Sequence, residues 1–147
     1  MKYIFLFSLA ALIACNNDDK QAGKNSSMND ESINAAMKDS SSYTSIQWID
    51  SINTELGKIT EGQVVEVSWR FKNTGDKPLV VQNVQAGCGC TVAERPNEPV
   101  PPGAEGRIKA KFDSKNQGPR FNKTVTVTAN TKDKQTHYLT FSGEAIK

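Results

Sequence analysis

The chain has 147 residues, 37% of them hydrophobic and 7% aromatic, with 18 basic against 16 acidic side chains and a formal charge of +2. So small a charge, with no basic stripe interleaved with aromatics, excludes the usual electrostatic mode of nucleic-acid binding. The length allows one ordinary domain with a tail, and the modest apolar content favours a thin, strand-built core over a helical one.

Lys2 stands before an apolar run from Tyr3 to Ala14, which Cys15 closes and Asn16-Asn17-Asp18-Asp19 follows. A charged start, a short apolar stretch and a small residue before the break predict a secretory signal peptide over residues 1–14. The run is well short of the ~20 apolar residues of a spanning helix. Cys15 directly after Leu12-Ile13-Ala14 resembles a bacterial lipoprotein signal. That resemblance implies a diacylglycerol on the Cys15 thiol, cleavage before it and acylation of the new amine. The expected membrane attachment is through acyl chains, each worth ~0.8 kcal/mol per buried CH₂. The acids after Cys15 resemble the export signals that send some lipoproteins to the outer face of a Gram-negative cell, although they also read as solvated linker charge.

Residues 15–44 are expected to be the lipidated N-terminus and a flexible tether. Asn, Ser, Asp and Lys dominate there, and such a segment buries too little surface to offset its ordering entropy. A helix over Ser32 to Met37 would be marginal alone. From Ser45 the texture changes, and residues 45–147 are expected to form one domain. Ile46 and Trp48 alternate with Gln47 and Ile49. Val65, Val67, Trp69 and Phe71 share one face of a strand, with Glu66, Ser68, Arg70 and Lys72 on the other. Asn73 to Pro78 reads as a turn in which Gly75 takes a positive φ. Further strands are expected over Leu79–Ala86, Cys90–Ala93, Gly106–Asp113, Phe121–Ala129 and His137–Gly143. About seven short strands with regular turn signals predict an all-β, immunoglobulin-like sandwich.

The order of motifs carries a resemblance. It runs Gly57-Lys58-Ile59-Thr60-Glu61-Gly62, Trp69 to Gly75, Pro78-Leu79-Val80-Val81, Gly87-Cys88-Gly89-Cys90-Thr91, Val100-Pro101-Pro102-Gly103 and Gly118 to Lys123, then Thr128-Ala129-Asn130 and Gly143. This set resembles the bacterial family known as domain of unknown function 1573. The resemblance implies an immunoglobulin-like sandwich related to sperm-protein and Hydin-type domains, and no established activity.

Cys88 and Cys90 are the one feature suited to chemistry. They read as small packed residues at a strand start, with Gly87 and Gly89 marking a turn. They also read as a disulfide or redox pair, or as two soft ligands for Cu(I). His137, the single histidine, lies far along the chain and reads as a surface or half-buried ring, so zinc lacks ligands. No phosphate loop or nucleophile elbow occurs. Trp48 and Trp69 suit a ligand platform, but Trp69 shares the phase of Val65 and Val67 and reads as core. No cofactor and no catalytic set is expected. The expected role is a lipid-anchored binding or scaffolding module of the cell envelope, with another envelope protein as partner. The alternative is thiol-redox or Cu(I) handling through Cys88 and Cys90.

Overall fold

The computed structural model describes residues 29–147. The expected signal peptide, Cys15 and the first part of the expected tether lie outside the described residues. Eight strands build two four-stranded sheets, an immunoglobulin-like sandwich. In chain order they are β1 (Ile46–Trp48), β2 (Asn53–Thr60), β3 (Val64–Asn73), β4 (Val81–Ala86), β5 (Thr91–Glu94), β6 (Glu105–Asp113), β7 (Arg120–Ala129) and β8 (Thr136–Ile146). One sheet runs β1-β3-β6-β5 and the other β2-β8-β7-β4.

The alternation read from sequence fixes which side chains meet between the sheets. Trp69, Phe71, Ile108 and Phe112 from the first sheet face Val125, Val127, Leu139 and Phe141 from the second, all essentially without solvent contact. Their aromatic rings meet at tilted and edge-on angles, with Phe112 and Phe141 centroids 5.2 Å apart. Such pairs add about 0.5–1.5 kcal/mol beyond area burial. Among the described residues every buried side-chain nitrogen or oxygen has a hydrogen-bond partner. On the outer face of the first sheet, Arg70 stands directly opposite Arg107. Asp50 relieves that repulsion with a bidentate pair to Arg70, at 2.8 Å from Oδ1 to Nη2. These hydrogen bonds hold the Asp50 carboxyl below its ordinary value.

Three sequence expectations need correction. The eighth strand, β2, lies where no strand was expected, and it runs parallel to β8. Its register shifts between Glu55 and Lys58, around Gly57 at φ 68°, so Leu56 and Ile59 fall out of simple alternation. The bulge fits because Gly143 faces it: a Cβ there would lie 2.7 Å from the Gly57 carbonyl oxygen and 2.7 Å from the Phe121 ring. Gly75 does not take a positive φ. It is needed for space, because a Cβ would collide with the Thr44 hydroxyl and lie 2.6 Å from the Ser45 nitrogen.

The third correction concerns the tether. From Asn29 the chain is not open but packed on the sandwich. Helix α1 (Asp30–Lys38) is capped by Asn29, whose Oδ1 accepts from the Ser32 nitrogen, with Asp30 and Glu31 at the positive end and Lys38 at the negative end. Ile33 is buried, and Asn34 accepts a 2.9 Å hydrogen bond from Gln82 of β4. A 3-10 turn over Ser40–Ser42 follows, and Asn130 Nδ2 donates to the Ser42 carbonyl at 2.8 Å. Tertiary contacts supply what local propensity lacks in so short a helix.

Candidate functional site

The chain crosses between the two sheets at both sides of the sandwich. On one side, residues 49–52 carry it from edge strand β1 to edge strand β2. On the other, residues 87–90 carry it from edge strand β4 to edge strand β5. The second crossing holds the cysteine pair singled out in the sequence, and a cleft lies beside the first.

The first crossing borders a cleft through Ile52. Its floor is Trp48, whose ring meets Phe71 edge-on at 5.6 Å and His137 edge-on at 5.8 Å. Ile46, Ile52 and Tyr138 give it apolar walls, and Lys132, Asp133 and Lys134 form a charged rim. The cleft has a volume of about 150 Å³. Two of its walls are open to solvent, Tyr138 at 60% and Ile52 at 37% of full exposure, and Ile49 in the same crossing is 40% exposed. Apolar exposure of this kind, gathered around a concavity, is the surface signature of a binding site.

His137 is buried here, neither the surface nor the half-buried ring that its strand-like context suggested. Its Nε2 lies 3.0 Å from the Thr131 hydroxyl, which itself donates to the Lys134 carbonyl. That leaves the Nε2–H donating to Thr131. Burial, helped by the Lys134 charge, holds the imidazole below its ordinary pKa, so it stays neutral at pH 7. A neutral ring wedged against Trp48, with its Nε2 hydrogen bond satisfied, shapes the floor of the cleft. Trp69 is sealed in the core, with its Nε1 donating to Thr54 at 3.2 Å, so the two tryptophans do not form a shared platform.

At the second crossing Cys88 and Cys90 are joined by a disulfide across Gly89, with Cα atoms 5.3 Å apart. They lie in the turn before β5, each half-buried. Cys90 packs against the core, whereas Cys88 does not reach it. Neither Gly87 nor Gly89 has a positive φ, and Gly87 donates from its nitrogen to the Thr124 carbonyl at 2.9 Å. Bonded to each other, the sulfurs present no thiolate to Cu(I). His137 lies at the opposite crossing, so the topology does not bring it to the cysteines. Among the described residues no group of three or more His, Cys, Asp or Glu side chains is placed to hold a metal ion.

The cleft was not read from sequence, because Ile46, Trp48, Ile52, His137 and Tyr138 alternate between apparent core and surface positions. The available signal was the apolar surplus at Ile49 and Ile52, directly outside a strand, and Tyr138 out of phase with Leu139 and Phe141.

Residues 47–145 match the model of a family described as a protein of unknown function (DUF1573). No curated protein matches the chain. Among solved structures, a protein of unknown function from Porphyromonas gingivalis W83 aligns with a TM-score of 0.64 at 13% identity, over 72% of this chain and 49% of that one. The chain therefore spans about half the length of that protein. The ASH / PapD-like domain 7 of human CEP192 aligns with a TM-score of 0.51 at 11% identity, over 71% of this chain and 87% of that one. The secreted serine protease VesC from Vibrio cholerae aligns at 0.53 and 11% identity, over 69% of this chain but 23% of that one. At such identities these likenesses establish the shared sandwich alone.

Proposed function

We propose, from the premise that the chain belongs to DUF1573, a family of proteins of unknown function, that it is a non-catalytic binding module of the bacterial cell envelope. It is tethered by lipid on Cys15, at the outer membrane, and it seats an apolar side chain of another envelope protein in the Trp48 cleft. The observation that carries this reading is the solvent-exposed apolar wall that Ile52 and Tyr138 give that cleft.

The size of the cleft favours a protein partner over a small molecule. At about 150 Å³ it is well below the ~300–1,000 Å³ of pockets that enclose a drug-sized ligand. It suits a single anchoring side chain, the usual centre of a protein interface. Edge strand β1 runs beside it with one side unpaired, so an extended partner segment has backbone groups to meet next to the anchor.

Photo-crosslinking in intact cells tests the reading. A photoreactive residue at Tyr138 should trap a discrete partner, and the adduct should vanish with Ile52→Lys. The same probe at Lys109, on the outer face of β6, should trap none. No adduct at Tyr138, or one indifferent to Ile52→Lys, overturns the proposal.

A further inference from the structure

We propose that the Cys88–Cys90 disulfide is a thiol-exchange site, reduced and re-formed by a dithiol partner without loss of the fold. The two ordinary explanations of a disulfide do not apply to it. A bond that closes so small a loop removes little freedom from the unfolded chain, so it is a weak staple. Nor is the pair sealed in the core, where cysteines are inert, since both residues are half-buried.

The turn around the bond is held by other means. Thr91 donates from its nitrogen to the Cys88 carbonyl at 3.3 Å, and Asp113 donates to the Cys90 carbonyl at 2.9 Å. Arg95 links β5 back to β4 through the Val81 carbonyl at 3.1 Å. The crossing therefore keeps its path when the S–S bond is open. The Thr91 side chain is buried, and its hydroxyl lies 3.6 Å from Cys88 Sγ and 3.8 Å from Cys90 Sγ, within reach to donate to whichever sulfur becomes a thiolate.

The asymmetry of the pair sets the order of the chemistry. Cys90 is backed by the core and Cys88 is not, which assigns Cys88 as the sulfur that the partner attacks. A partner thiolate attacks Cys88 Sγ, a mixed disulfide forms, and the Cys88–Cys90 bond breaks with its electron pair leaving on Cys90. Cys90 takes a proton from solvent. The partner's second thiolate then attacks its own sulfur in the mixed disulfide and releases Cys88 as a thiolate, which is protonated in turn. Two electrons pass from the dithiol to the pair, solvent takes up the two protons that the partner thiols lose and supplies the two that Cys88 and Cys90 gain, and the partner leaves as a disulfide. The reverse sequence re-forms the bond.

The test uses the full chain equilibrated in glutathione buffers of graded reduced-to-oxidised ratio, followed by alkylation, peptide mapping and circular dichroism. Two glutathione thiols take the place of the dithiol. The pair should pass reversibly between disulfide and dithiol within the series, with an unchanged β-sheet spectrum. Cys90→Ser should accumulate a glutathione adduct on Cys88 about tenfold faster than Cys88→Ser accumulates one on Cys90. A pair that stays fully bonded or fully reduced throughout, a reduction that unfolds the domain, or equal adduct rates overturns the proposal. Should either variant fail to fold, the wild-type titration decides alone.

Discussion

Asn73 and Asn130 mark where two turns leave the sheets, and each uses its whole side-chain amide. Asn73 Oδ1 accepts from the Thr44 hydroxyl at 2.8 Å and the Gly75 nitrogen at 3.1 Å, and its Nδ2 donates to the Lys77 and Val100 carbonyls. Asn130 Oδ1 accepts from the Val80 nitrogen at 2.8 Å, and its Nδ2 donates to the Ser42 and Pro78 carbonyls. Removing such a group strands buried backbone partners, at about 1–3 kcal/mol for each one left unpaired. Asn130→Ala should therefore lower stability by about 3 kcal/mol in urea unfolding, whereas an exposed change such as Asn122→Ala should stay within about 0.5 kcal/mol. Neither role was legible from sequence, where Asn73 is one turn residue among several. His137 gives a pH signature. Its native pKa is depressed, so the unfolded chain binds the proton more readily. Stability should be level above pH ~6.5, fall as pH drops through that value toward the native pKa, and level again below it. Thermal melts across pH should show this decline in the wild type and lose it in His137→Gln.

At the scale of elements, alternation decided the outcome. β3, β6 and β7 were legible because one face is apolar and the other charged or Thr-rich, so one register alone buries the apolar set. β2 was not, because its bulge at Gly57 shifts the phase halfway along and its outward residues are polar. Helix α1 was expected to be marginal for a correct local reason and is held by a non-local one. Its anchor is Ile33 against the sandwich, with Gln135 donating to the Met37 carbonyl at 3.2 Å. Ile33→Ala should speed amide hydrogen exchange over Asp30–Lys38 by about tenfold or more, with exchange in β6 and β7 unchanged. Equal protection in both proteins would mean that Ile33 does not anchor the helix.

At the scale of the molecule, the two sheets pack as one sandwich whose two edge-to-edge crossings, β1 to β2 and β4 to β5, differ in character. One side presents the apolar cleft at the edge of β1 and β2, and the other presents the disulfide at the edge of β4 and β5. The fold was legible from strand count and spacing, and the family from an ordered set of motifs spread over the domain. The cleft was not, since it exists only where distant segments meet. Attachment belongs to this scale as well. Cys15→Ser should move the protein from the membrane pellet to the soluble fraction after a carbonate wash, and retention in the pellet would remove lipid as the anchor. The most direct test of the central claim is the affinity of the proposed envelope partner, once trapped at Tyr138, titrated against the wild type, Ile52→Lys in the cleft wall and Val64→Lys, an equally apolar exposed position on β3. Ile52→Lys is expected to weaken binding at least about tenfold, a loss of ~1.4 kcal/mol, while Val64→Lys binds as the wild type does. Equal affinity for all three proteins would contradict the account.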